Sequence, residues 1–177
     1  MSKLTLKYIL LAVVGLVLFY LSYGIAQRFQ QKKAISEHIA HLPTFEFRDL
    51  DNKLFSSKNL ASQPVWLLYF NTECEFCQIE IIDIQQHISQ LSSIRVVLVS
   101  SEKVSTLKKF SHQYGLDTLQ NLVIVQDSTH FCVTNLGMTT TPSSLLYATN
   151  GQLIKKYSGK VKVETIINDQ KNPKTSL

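Results

Sequence analysis

Two uninterrupted apolar runs, VWLLYF from Val65 to Phe70 and IRVVLVS from Ile94 to Ser100, limit what this chain can become. A strand that is apolar on both faces cannot lie at the rim of a sheet. Both runs therefore belong in the middle of a sheet covered on each side. Between them, from Glu75 to Leu91, Ile79, Ile82, Ile88 and Leu91 recur at mostly helical intervals with no Gly or Pro, which predicts a crossover helix. Ser101 to Tyr114 reads as a second helix stopped by Gly115, and Leu122 to Gln126 as a third strand. Asp127 or Ser128 can cap a short helix to about Leu136. Pro142 opens SSLLYAT, Asn150-Gly151 is a strong hairpin turn, and QLIKKYS returns from it. Upstream, residues 44 to 56 read as two short strands around Asp51-Asn52, with Ser56 or Ser57 capping a brief helix to Leu60. Val161 to Ile167 reads as the last helix. The fold class is α/β, a mixed sheet sandwiched by helices with parallel pairs at its centre.

A different pattern precedes this domain. Tyr8 to Ala26 carries no charge, and a helix needs about 20 such residues to cross a bilayer. The favoured reading is one retained N-terminal transmembrane helix; the alternative is secretion after signal cleavage near Ala26. The net charge of +5 supports a membrane neighbour, since five Lys/Arg less Glu37 place +4 of it within residues 1–37. The remainder is nearly neutral and shows no basic patch interleaved with aromatics, so nucleic acid is not an expected partner. Residues 1–41 are assigned to anchor and stalk, 42–170 to the domain and 171–177 to a C-terminal tail.

At the end of the first buried strand stands Cys74-Glu75-Phe76-Cys77. A cysteine where a helix begins meets unpaired backbone N–H groups and the positive end of the helix dipole, which favour a thiolate. The flanking Glu73 and Glu75 oppose that effect. Cys77, one turn on, can resolve a mixed disulfide formed at Cys74. A loop this short makes a poor staple. No second cysteine or histidine pair stands at zinc-finger spacing, so no metal is assigned. Glu80, at i+3 from Cys77, is a candidate to accept its proton. Cys132 reads as a small core residue.

From about Leu42 to Ile167 the chain resembles the thioredoxin fold, and within it the membrane-anchored thioredoxin-like reductases of cytochrome c maturation and related thiol tasks. LPTFEFRDLDNKLFSSKNL resembles their opening hairpin, Cys74-x-x-Cys77-x-x-Glu80 their active-site motif, and Thr141-Pro142 with SSLLYATNGQLIKKYSG their cis-proline strand and terminal hairpin. The resemblance implies thiol–disulfide exchange on extracytoplasmic protein substrates through a redox-active Cys74–Cys77 disulfide, without another cofactor. It implies catalytic roles for Cys74, Cys77 and Glu80, and substrate contact at Phe76, Thr141 and Pro142, with Thr141 offering a strand-like backbone contact. Glu-Phe between the cysteines supplies no cation to hold a thiolate, which argues for a reductant, and hence for a membrane electron donor. One departure is that thioredoxin has a buried acid six positions before the first cysteine, where this chain has Leu68. Two other functions are weighed. A peroxidase of the peroxiredoxin kind needs a threonine three before its cysteine, where Asn71 stands. A copper chaperone needs a distant histidine, for which His130 is the candidate.

Overall fold

The computed structural model describes residues 3–60 and 63–173, with side chains described at residue 13 and from residue 15 onward. The chain divides into two compact units, Met1–Glu37 and His38–Leu177. Helix α1 (Lys3–Ile39) makes up the first and runs two residues into the second. In the first unit Leu16, Phe19, Tyr20 and Phe29 are all exposed. Among the described residues no helix is long and apolar enough to cross a membrane. The beginning of the run expected to do so, residues 8–12 with Val14, lies outside the described side chains.

The second unit is built on a seven-stranded sheet in the order β2-β1-β5-β4-β3-β6-β7. The two apolar runs become β3 (Val65–Tyr69) and β4 (Arg95–Ser100), and every residue of β3 is buried. They pair in parallel, and β4 pairs in parallel with β5 (Leu122–Gln126). On its other side β3 pairs antiparallel with β6 (Ser143–Tyr147), which turns at Asn150-Gly151 into β7 (Leu153–Ser158). Gly151 sits at φ 79, a conformation that favours glycine. At the far edge β1 (Glu46–Asp49) pairs with β2 (Leu54–Ser56) and with β5. Residues 40–42 join the compact unit, because Leu153 donates to the Ala40 carbonyl and Leu42 to that of Gly151.

Strand alternation divides the core. Trp66, Leu68, Val96, Leu98, Leu122 and Ile124 face one side, where they cluster with α2 (Glu75–Gln86), α3 (Val104–Gln113) and α5 (Val163–Lys171). Leu67, Val97, Val99, Leu145 and Tyr147 are buried on the opposite face. Cys132 and Leu136, in and after α4 (Phe131–Thr134), are fully buried too.

Several elements differ from their expected length for local reasons. The helix expected from Glu75 to Leu91 ends at Gln86, because His87 leaves helical geometry at φ −110 and ψ 17 while its N–H closes on the Asp83 carbonyl. A separate 3₁₀ turn then spans Ile88–Leu91. The helix expected from Asp127 to Leu136 shrinks to four residues. The Asp127 carboxylate accepts the N–H groups of Phe131 and Cys132, and His130 at φ 57 bends the chain before the helix can begin. The third helix starts at Val104 rather than Ser101, and the last runs Val163–Lys171 rather than 161–167. Most of the expected tail, residues 174–177, lies outside the described residues.

Replacing Leu98 by alanine tests the centre of this sheet. The side chain is fully buried on the central β4, and its truncation should cost about 2–5 kcal/mol in urea unfolding without a change in slope.

Candidate functional site

The register of β3 against β6 sets the site. Tyr69 faces Ser143, so the loop leaving β3 and the loop entering β6 meet at the same end of the sheet. There Cys74 is the N-cap of α2, in extended backbone geometry, and its sulfur accepts the Cys77 N–H at 3.3 Å. A capping sulfur therefore occupies the place where a helix presents unpaired N–H groups and partial positive charge. The Cys74 thiol also donates to the Thr141 carbonyl at 3.6 Å, and the Thr141–Pro142 peptide bond is cis. The fold thus brings Cys74, Cys77, Thr141 and Pro142 together from segments far apart in sequence.

Access separates the two thiols. Cys74 is half-buried and Cys77 fully buried, and both are free thiols. Burial pushes Cys77 up to about 12, and the neighbouring Cys74 acts in the same direction. Cys77 holds its proton until a base removes it. Phe76, between them in sequence, is 62% exposed.

Glu80 lies on α2 one turn beyond Cys77 and is 0% exposed. The helix faces inward at this position, with Cys77, Ile81 and Ile84 also buried. Neither carboxylate oxygen makes a hydrogen bond. Burial raises its pKa from 4.5 to about 8, with Asp83 adding to the rise, while the Val161 backbone and Lys160 oppose it without offsetting it. Glu80 also lines a cavity of about 270 Å³ with Lys160 and Val161, although both of its carboxylate oxygens are closed to solvent. Leu68 is buried in β3, so the ionisable group near the cysteines comes from α2 instead of the strand.

Asp83 ties this helix to α5, accepting the Val163 N–H at 2.9 Å and lying 3.1 Å from His87 Nδ1. That carboxylate raises the His87 pKa, with the Asp83 carbonyl as the largest contribution.

Sequence reasoning missed the loop before Cys74. Thr72 donates its N–H and its hydroxyl to the two oxygens of Glu102, both at 2.7 Å, and its carbonyl accepts from Gln78 Nε2 at 2.7 Å. No spacing rule links Thr72 to a residue in the β4–α3 loop, so only the folded chain reveals the contact.

Cys132 is fully buried beside Asp127, which adds to the effect of burial in keeping its thiol protonated. His130 precedes α4, and among the described residues no group of three or more His, Cys, Asp or Glu could hold a metal ion.

The profile of the AhpC/TSA family matches residues 40–169. No curated protein matches the chain at a significant level. Among solved structures, a thioredoxin-family thiol:disulfide interchange protein from Chlorobium tepidum is 19% identical with TM-score 0.64, covering 76% of this chain and 95% of its own. The pneumococcal exposed lipoprotein thioredoxin of Streptococcus pneumoniae is also 19% identical, with TM-score 0.59 and coverage of 72% and 98%. A peroxiredoxin-like protein from Aquifex aeolicus is 11% identical with TM-score 0.62, covering 74% and 84%. At these identities the likeness establishes the thioredoxin-like fold.

Two measurements follow. Because the folded protein holds the Glu80 proton to about pH 8 while an unfolded chain releases it near 4.5, the unfolded state binds fewer protons between those values, and stability falls as pH rises. Against Glu80→Gln, the wild type should lose up to about 1.4 kcal/mol more per pH unit across that window in urea titrations, and no more below it. Cys132→Ala should lower stability by about 1–2 kcal/mol through a small cavity and leave thiol exchange intact, read by urea unfolding and a disulfide-reduction assay.

Proposed function

The chain belongs to the AhpC/TSA family and is a thiol–disulfide oxidoreductase of thioredoxin-like fold; we propose that it acts as a reductant of extracytoplasmic protein disulfides, held at a membrane by its N-terminal helix. The observation that carries this reading is the pairing of an accessible, helix-capping Cys74 with a buried, protonated Cys77 beside the Thr141 carbonyl.

The reaction has two displacements. The Cys74 thiolate attacks one sulfur of a substrate disulfide, forming a mixed disulfide and releasing a substrate thiolate that takes up a proton. An extended substrate segment lies against the backbone at Thr141 and Pro142, with Phe76 as an apolar contact. Glu80 then takes the Cys77 proton. Cys77 attacks Cys74 Sγ, closing the Cys74–Cys77 disulfide and releasing the second substrate thiolate, which is protonated in turn. Two electrons pass to the substrate, and a membrane dithiol donor restores the pair. No further cofactor takes part.

A base near 8 accepts a thiol proton better than an ordinary carboxylate, although most of it is already protonated at pH 7. The exposed apolar side chains of the first unit, from Leu16 to Phe29, support a membrane as their covering, and the cluster of basic residues flanking them agrees. This reading keeps the retained anchor in preference to secretion after cleavage near Ala26.

The peroxidase reading is weaker, because Asn71 fills the threonine position and uses its side-chain oxygen to accept the Glu73 N–H. The copper reading would need His130, at the start of α4, to join the cysteine pair.

Stopped-flow kinetics test the proposal. Reduced wild type should turn over a model protein disulfide such as insulin; Cys74→Ser should lose attack, and Cys77→Ser should accumulate the mixed disulfide. Undiminished activity in Cys74→Ser would overturn the assignment. Decay of the mixed disulfide should accelerate with pH through about 8 in the wild type, and Glu80→Gln should lack that limb and be slower by about 10- to 100-fold near it.

A further inference from the structure

The turn between β3 and α2 is held by a carboxylate from another loop. Thr72 stands two residues before Cys74, and all three of its polar backbone and side-chain groups are engaged: N–H and hydroxyl with Glu102, carbonyl with Gln78. Glu102 also accepts the Ser100 hydroxyl at 3.2 Å, and its own N–H donates to Ser100 Oγ at 3.3 Å. Its carboxylate is thus half-buried and bonded to neutral donors, and among the described residues no ion pair engages it. Charge-assisted bonds of this kind are shorter and stronger than neutral ones, and two from one carboxylate to one residue fix orientation as well as distance.

The geometry points to Glu102 as a positioning residue for thiol exchange: its carboxylate latches Thr72 and thereby fixes the turn that aims Cys74 at the substrate disulfide. Three links connect the latch to the reacting sulfur. Thr72 Oγ1 and N–H anchor the turn to the β4–α3 loop. The Thr72 carbonyl is held by Gln78, in the first turns of α2, so turn and helix move as one body. Cys74 N–H donates to the Asn71 carbonyl at 3.2 Å, which closes the turn on the attacking residue itself. In-line attack on a disulfide needs three sulfurs aligned, and a displacement of about 1 Å can cost about 100-fold in rate.

A latch and a mere packing contact differ in what they change. The inference rests on Cys74 as the attacking thiol, which Cys74→Ser tests independently in the same assay. The full chain in detergent micelles, reduced with dithiothreitol and freed of it, is mixed with insulin in a stopped-flow instrument well below its melting temperature. Glu102→Ala should slow attack on insulin by about 10- to 100-fold. Its Cys74 should be alkylated by iodoacetamide at the high-pH plateau within about twofold of wild type, because a small reagent approaches from any direction. Glu102→Gln can keep both contacts, its carbonyl accepting the Thr72 N–H and its amide donating to the Thr72 hydroxyl, and should stay within about threefold. Thr72→Val, which loses only the hydroxyl bond and is the milder change should Glu102→Ala fold poorly, should show a smaller loss in the same direction. The double variant should be no slower than Glu102→Ala alone. Attack by Glu102→Ala within twofold of wild type, a fall in Glu102→Gln as deep as in Glu102→Ala, or losses that multiply in the double variant would each overturn the latch.

Discussion

The pairing of β3 with two neighbours of opposite direction governs this site. Because β3 runs parallel to β4 and antiparallel to β6, the chain leaves β3 where it enters β6, and residues 67 apart in sequence meet as Cys74 and Thr141. Register is what keeps them together, since a slip of one residue would turn every β3 side chain to the wrong face. The cost of such a slip is high because β3 is buried on both faces, Trp66 and Leu68 on one and Leu67 on the other. The apolar strand is therefore also the device that positions the chemistry.

Helix α2 adds a second constraint, in that one face must serve both the core and the proposed chemistry. Cys77, Glu80, Ile81 and Ile84 all face inward. For isoleucine this is stabilising, whereas a carboxyl group without a hydrogen bond costs free energy when charged and so retains its proton. That cost is the same quantity that makes Glu80 a stronger base than a surface glutamate. Stability and proton affinity are two readings of one desolvation.

Much of this was legible in the sequence, for identifiable reasons. VWLLYF and IRVVLVS announce central strands, because only a covered strand tolerates apolar residues on both faces. Asn150-Gly151 announces its hairpin, because a tight turn needs a left-handed residue and glycine supplies it at φ 79. Cys74-x-x-Cys77 at a strand-to-helix junction announces two cysteines placed together at the start of α2. The helix ends were less legible, since His87 and His130 stop or delay helices through backbone angles and contacts that no periodicity encodes. The burial of Glu80 was not legible, because Ile79 and Ile82, whose spacing marks the expected apolar face, are exposed at 40% and 37% while Glu80 is buried. The Thr72–Glu102 contact spans thirty residues between two loops, and nothing local signals it.

The charge around the pair bears on the direction of electron flow. From Asn71 to Gln78 the sequence holds two carboxylates, Glu73 and Glu75, and no Lys or Arg, and Glu102 adds a third from the neighbouring loop. A strongly oxidising pair is one whose reduced form is stabilised, and cations or amide donors that hold the thiolate supply that stabilisation. Here the helix terminus provides one N–H to Cys74, while the surrounding fixed charge is negative and Cys77 stays protonated to about 12. The dithiol gains little from its site relative to the disulfide. Such surroundings favour electron donation over oxidation, which is in line with the reductant role proposed above.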